Sequence, residues 1–227
     1  MKRFPFDIVG FDLDGTLCDT HQDLAAAVNH ALGLTGRPPV RADAVRELIG
    51  GGSAKMLERA LALTGGAVPD QEFEALKQAL IEFYVEHIAV HTRLFPGGEA
   101  MLAALATCGV KLAVVTNKLE FLAVRLIGEL GLAPRFFAVI GGDTLGPGRG
   151  KPAPDLLHEM VRRGGAKGSG IRAAYVGDTS LDTRAARAAG MPCVVARFGF
   201  NDAPPDELGA EAVIDHFDGL IDALAAL

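Results

Sequence analysis

The chain has 227 residues, 49% of them hydrophobic, and a formal net charge of −6. That length holds one large domain or one domain with a smaller insertion, and no apolar run is long enough to span a bilayer. The acidic balance argues against a nucleic-acid partner, which needs a basic face, and means that any anionic partner must meet positive charge supplied locally.

In chain order, Met1-Lys2-Arg3-Phe4-Pro5 runs straight into an apolar stretch, without the pattern of a cleaved signal peptide. Residues 6–13 read as a buried parallel strand left through the turn Gly15-Thr16. Asp12 and Asp14 stand at its carboxyl end. Side chains alternate along a strand, so the two acids share a face only if the strand continues regularly. A turn at Gly15 is the other way to bring both to the edge where open α/β sheets bind ligands. Acids packed together near a core need a cation or a proton between them. A metal site, an acid/base pair and a carboxylate nucleophile each meet that need.

Residues 19–91 differ in character, with four helical patterns and no strand. One begins at Thr20-His21-Gln22-Asp23, a capping-box pattern, and carries Leu24, Ala27, Val28 and Ala31. Another follows Pro69-Asp70 and repeats Phe73, Leu76, Leu80, Phe83, Tyr84 and His87 at helical spacing. Gly50-Gly51-Gly52-Ser53 precedes a further pattern (Ala54, Leu57, Ala60, Leu61). Amides at such a helix start can bind a carboxylate, with Lys118, Arg46 or Lys55 as helpers; the alternative is a plain turn or hinge. His21, His30, His87 and His91 have no metal-ligand spacing and read as surface or core residues.

Beyond this segment, strands at 110–116, 173–178, 193–198 and 212–215 alternate with helices at 118–130, 180–189 and 217–226. This is the βα order of a parallel sheet covered on both faces. The predicted architecture is α/β: a Rossmann-like parallel-sheet core from residues 1–18 and 92–227, with an inserted all-helical cap at 19–91. The 164–170 stretch, rich in glycine, reads as a mobile loop. Three scattered cysteines, Cys18, Cys108 and Cys193, suit reduced thiols in a cytoplasmic protein better than disulfides or zinc.

The polar residues that stand out all fall at strand ends. Thr116-Asn117-Lys118 offers neutral donors suited to a phosphoryl oxygen, or else a turn or helix cap. Lys151 follows a glycine-rich loop and precedes Pro152, so turn residues fix it, although such lysines are commonly solvated. Asp178 and Asp182 end another strand, where helix-start carboxylates are also at home beside the helix dipole. Each has an ordinary explanation alone. Their order, four strand-end sites facing one sheet edge, does not.

Asp12-x-Asp14-Gly-Thr, Thr116, Lys151 and Gly177-Asp178-x-x-x-Asp182 together resemble the four motifs of the haloacid dehalogenase superfamily. The resemblance covers essentially the whole chain, and the segment after the first motif is similar to the helical cap of that superfamily's first cap class. Leu48-Ile49-Gly50-Gly51-Gly52, Thr116-Asn117-Lys118, Val139-Ile140-Gly141-Gly142-Asp143, Phe95-Pro96-Gly97 and Arg197-Phe198-Gly199-Phe200 resemble the phosphoglycolate phosphatases within it. The resemblance implies a magnesium-dependent phosphatase in which Asp12 is the nucleophile and Asp14 the general acid, then general base. Asp14 is expected to be protonated in the first step, favoured by a crowded acidic site. Metal ligands are implied at the Asp12 carboxylate, the Asp14 carbonyl and the Asp178 carboxylate, with Asp182 behind them or as an alternative ligand. Thr116 and the Asn117 backbone would hold phosphoryl oxygens, and Lys151 would neutralise charge and position Asp12; on the reading of the glycine loop given above, Gly51, Gly52 and Lys118 would meet the rest of the substrate. The implied partner is a small phosphorylated metabolite, 2-phosphoglycolate first, then a sugar phosphate or pyrophosphate. The protein itself would be a monomer or homodimer. An acid at position 14 sets the chain apart from the dehalogenase and phosphonate-hydrolase branches. A sugar phosphomutase, which shares the acid pair but reads Thr-Ser-Ser where this chain has Thr116-Asn117-Lys118, and a silent binding protein complete the alternatives.

Overall fold

Short runs of small and β-branched apolar residues form the strands here, and alternation along each run decides which face of the sheet every side chain joins. The computed structural model describes residues 4–165 and 170–227. Residues 1–3 of the N-terminal stretch read for a signal peptide, and 166–169 of the expected mobile loop, lie outside the described residues. The chain runs β1 (Ile8–Phe11), β2 (Cys18–Asp19), α1 (His21–Gly33), α2 (Ala42–Val45), α3 (Ser53–Leu63), α4 (Asp70–Glu86) and β3 (Arg93–Leu94). It continues with α5 (Gly98–Thr107), β4 (Lys111–Val115), α6 (Glu120–Glu129), β5 (Ala138–Ile140), α7 (Asp155–Arg163) and β6 (Ala173–Gly177). It ends with α8 (Ser180–Ala188), β7 (Cys193–Ala196), β8 (Ala212–Ile214) and α9 (Leu220–Ala225).

Six strands form one parallel sheet in the order β5-β4-β1-β6-β7-β8. Val9, Phe11, Leu112, Val114, Ala174 and Val176 point to one core, which α5, α6 and α9 cover. Ile8, Ala113, Val115 and Tyr175 point to the other, with Leu157 and Met160 of α7 and Ala185 of α8. Gly10 lies on that second face because α7 packs close: a Cβ there would meet Met160 Sδ at 2.4 Å. The chain winds outward from β1 in both directions, so the crevice at the carboxyl end of β1 is the topological switch point of the sheet. Phe11 is level with Val114 and with Val176, which sets Asp12 one position short of Thr116 and Asp178.

The α/β sheet with an inserted helical cap matches the expected architecture, with physical differences in detail. β1 stops at Phe11, so Asp12 and Asp14 lie beyond the strand and the turn brings them together. The chain leaves for the helices through β2 and returns through β3, a two-stranded antiparallel ribbon too short to give a periodic signal. β5 was not anticipated either; it is a three-residue edge strand. Residues 217–226, expected as one helix, divide into a 3₁₀ turn at Phe217–Gly219 and α9. The capping box at Thr20 does not form: the Thr20 hydroxyl is unpartnered, and Asp23 accepts instead from the amides of His91 and Thr92 and the Thr92 hydroxyl at 2.7–3.0 Å. The returning chain has taken over the carboxylate, tying the two ends of the helical segment to each other. Among the described residues, no helix is long and apolar enough to cross a membrane.

Candidate active site

Three parallel strand ends supply a cluster of charge. After β1, Asp12 accepts from the Leu13 amide at 2.7 Å, and Gly15 reverses the chain with φ of 84°. A Cβ on Gly15 would lie 2.3 Å from Asp178 Oδ2, so the turn is packed directly on the acid that follows β6. Asp178 is fully buried and accepts from the Thr16 hydroxyl at 2.8 Å and the Phe200 amide at 2.7 Å. Burial pushes its carboxyl well above the usual range, reinforced by the charges of Asp182 and Asp12. Burial also pushes Asp12 up to about 6, against the pull of Lys151.

Lys151 is the positive centre of this cluster. Its buried ammonium lies 3.0 Å from Asp12 and donates to Asp182 at 2.6 Å and to the Tyr175 hydroxyl at 2.8 Å. Burial works against the charge, but Asp12 and Asp182 keep it protonated. The Asn117 side chain grips the Lys151 backbone at both ends, donating to its carbonyl at 2.9 Å and accepting from its amide at 2.8 Å. Asn117 is therefore a clamp through its side chain, which leaves only its backbone to meet a ligand. Tyr175 completes the support by donating to the Val115 carbonyl at 2.6 Å.

Asp182 plays a different part from Asp12 and Asp178, although oxygens of all three lie within 4.8 Å of one another. One Asp182 oxygen faces Lys151; the other accepts from the amides of Asp178 and Thr179 and the Thr179 hydroxyl, at 2.7–3.1 Å. Burial opposes its charge, but Lys151 and these donors hold the carboxyl below the ordinary value. Asp182 also does not line the cavity, whereas Asp12 and Asp178 do. The donor set open to a divalent ion is the Asp12 and Asp178 pair, hard oxygens whose carboxyls are raised first by burial and then by neighbouring acids, both of which a bound cation would offset.

Thr116 and Lys118 close one side. The Thr116 hydroxyl accepts from the Lys118 amide at 3.2 Å, which leaves its own hydrogen to donate. The expected crowding of Asp14 by neighbouring acids is not its main contact: Lys118 Nζ reaches both Asp14 oxygens, at 2.9 and 3.0 Å. Facing the sheet edge, Gly50, Gly51 and Gly52 all have positive φ, and Arg59 of α3 holds the carbonyls of Leu48, Ile49 and Gly50 at 3.0–3.2 Å. Those carbonyls turn to Arg59 while the start of α3 meets the cavity. That cavity has about 720 Å³ of empty space including its open mouth, and Asp12, Asp14, Thr116, Lys118, Lys151 and Asp178 line it opposite Gly50–Ser53.

Two suggested helpers lie elsewhere. Arg46 pairs with Asp19 at 3.2 Å and stands over the Phe200 ring, while Lys55 pairs with Glu58 at 2.8 Å at the surface. Neither lines the cavity. His30 and His87 stack on Phe83 at 4.6 and 4.2 Å. The residues missed in the sequence are Arg59, Tyr175 and Tyr84. Each reads locally as an ordinary helix or strand position, and only the contact across the fold shows otherwise.

A model of the haloacid dehalogenase-like hydrolases matches residues 9–196. A phosphoglycolate phosphatase of Caulobacter vibrioides is 40% identical over 92% of this chain and 86% of its own length. One from Agrobacterium fabrum is 39% identical over 94% and 90%. The crystal structure of a protein from Haemophilus somnus, described as a predicted phosphoglycolate phosphatase, superposes with a TM-score of 0.87 at 28% identity, covering 96% of this chain and 97% of that one.

Proposed function

Since the chain belongs to the haloacid dehalogenase-like hydrolases, we propose that it is a magnesium-dependent phosphatase that converts 2-phosphoglycolate to glycolate and phosphate through an aspartyl-phosphate on Asp12. The observation that carries this reading is the meeting of Asp12, Asp14, Thr116, Lys151 and Asp178 around one cavity, with Lys118 and the start of α3 on its other walls. One set of groups suits a phosphoryl group, the other a second anion close by.

In the proposed reaction an Asp12 oxygen attacks phosphorus in line, the bond from phosphorus to the glycolate oxygen breaks, and Asp14 gives that oxygen a proton. Water then attacks the aspartyl-phosphate, loses a proton to Asp14 and releases phosphate, restoring both acids. Lys151 orients Asp12 and offsets the charge gathering on the phosphoryl oxygens, with the Thr116 hydroxyl and the Asn117 amide as further donors. Magnesium held by the Asp12 and Asp178 carboxylates and the Asp14 carbonyl would neutralise nucleophile and phosphate together. Asp182, with its oxygens engaged, positions Lys151 and the start of α8. Its three free cysteines suit a cytoplasmic setting, and the enzyme would act as monomer or homodimer.

A panel of phosphate esters with free-phosphate detection tests the substrate. The highest kcat/KM is expected for 2-phosphoglycolate; a sugar phosphate or pyrophosphate in first place would displace this reading and leave only the phosphatase core.

For the metal, activity should vanish with a chelator, return with magnesium and be inhibited by calcium, whose longer and looser coordination misplaces nucleophile and phosphate. Asp178→Ala should raise the magnesium concentration for half-maximal activity by about tenfold or more, since the loss of a group that only supports a ligand already costs about that much. Full activity in chelator would remove the metal from the scheme.

The glycine loop gives a second test. Valine at position 51 must adopt φ near 80° with its Cβ about 3.3 Å from Lys55, so the loop has to shift. Backbone strain of about 1–3 kcal/mol should weaken turnover of phosphoglycolate by about tenfold. For an aryl phosphate without a carboxylate the loss should be much smaller. Equal losses would assign the glycines to a hinge.

A further inference from the structure

We infer that Tyr84 on α4 is a specificity-determining residue whose hydroxyl donates a hydrogen bond to the substrate carboxylate. The inference rests on the phosphoglycolate reading and gives it a named reader on the cap side of the cavity.

The chain has two tyrosines, both buried. Tyr175 has its hydroxyl fully engaged by Lys151 and the Val115 carbonyl. Tyr84 lines the active-site cavity, yet its hydroxyl is buried without a well-formed hydrogen bond. Lys118 interacts with the oxygen, but the hydrogen has no acceptor among the described residues; a buried donor left so costs about 1–3 kcal/mol, which points to an acceptor that arrives with the ligand. Two other buried polar atoms among the described residues lack partners, Thr20 Oγ1 and Arg46 Nε, and neither belongs to a residue lining this cavity.

The surroundings define the chemistry of that partner. Lys118 Nζ lies 4.6 Å from the centre of the Tyr84 ring, so the ring carries the ammonium on its face while the ammonium holds Asp14. With positive charge beside the oxygen, its lone pairs are electrostatically occupied, and the unused capacity is the hydrogen. Burial, the main influence on it, keeps the phenol protonated and hence a donor. A donor next to an ammonium calls for an anionic acceptor. The pair is also anchored at Asp14, the residue that serves the leaving oxygen, so the acceptor must sit within a few bonds of that oxygen. An α-carboxylate meets both conditions. Neutral sugar hydroxyls would offer the phenol no charged acceptor.

Tyr84→Phe removes the hydroxyl and keeps the ring under Lys118. The ratio of kcat/KM for 2-phosphoglycolate to that for p-nitrophenyl phosphate should fall about 10- to 100-fold, the range for a hydrogen bond to a charged group. The midpoint of thermal unfolding should not drop. In an Asp12→Asn background, calorimetric affinity for phosphoglycolate should weaken by a similar factor, and more than affinity for inorganic phosphate. If the wild type prefers phosphoglycolate and the variant keeps both ratios, Tyr84 is no reader and the inference falls while the substrate reading stands. A wild type with no preference for phosphoglycolate overturns both.

Discussion

Asp12→Asn should abolish turnover, by about 10⁴-fold or more for a nucleophile acting as part of a unit, while the folded structure persists. An amide cannot accept the phosphoryl group, and among the described residues the neighbouring carboxylates are held elsewhere, Asp14 by Lys118. Asp178 is held by Thr16 and Phe200, and Asp182 by Lys151 and Thr179. Stability should move the other way. The Asp12 carboxyl is raised to about 6, so between the ordinary carboxylate value and about pH 6 the folded state holds a proton that the unfolded state has lost. Ionisation therefore removes stability as pH rises through that window. The variant never ionises, and in metal-free buffer at neutral pH its unfolding midpoint should equal or exceed that of the wild type by a few degrees. Below about pH 4 the difference should disappear. Beryllium fluoride provides a second check, with the adduct expected on Asp12 in the wild type and absent in the variant. Normal turnover by a verified Asp12→Asn protein would falsify the covalent mechanism.

What could be read in advance follows the range of the contacts involved. Asp12 and Asp14 stand out because an apolar strand and a Gly-Thr turn surround them within a few residues, and the sheet then has to bring Thr116 and Asp178 alongside. The helical segment was legible from its spacing. Asp23 was misread because its local pattern is that of a cap, whereas its partners lie 68 and 69 residues away. Arg46 and Lys55 look available to a substrate in sequence, but Asp19 and Glu58 had first claim on them. Tyr84 sits at a core position of a periodic helix, and nothing local distinguishes a tyrosine that fills a core from one whose hydroxyl borders a cavity. The contact between Lys118 and Asp14 spans 104 residues, so the acid motifs alone suggested crowding by other carboxylates where the fold supplies an ammonium.

Lys151→Met should damage both activity and stability, and the pH dependence of the second effect identifies its cause. The Lys151 side chain is 2% exposed and stands between Asp12 and Asp182, whose side chains are 13% and 0% exposed. Methionine fills similar volume without the charge, so packing survives while two carboxylates lose their shared cation. Removing one partner of a buried pair costs about 3–5 kcal/mol, since the remaining charge stays desolvated. For a chain of this size that is a fall of about 10 °C in the unfolding midpoint at neutral pH. The sign of the pH effect follows from the acids left behind. Without Lys151 the folded-state values of Asp12 and Asp182 both rise, and a raised carboxyl is stabilising only where it holds its proton. The deficit relative to wild type should therefore be smallest near about pH 5 and grow towards about pH 8. Saturating magnesium should recover part of it by supplying a cation beside Asp12. Lys151→Arg keeps the charge and should recover stability better than activity, because a planar fork cannot reproduce one ammonium shared among Asp12, Asp182 and Tyr175. Turnover of the methionine variant should fall by about 10³-fold or more, as expected when a preorganised charge is removed from a transition state. A deficit that stays constant from pH 5 to 8 would mean that lost packing, and not the stranded carboxylates, accounts for the damage.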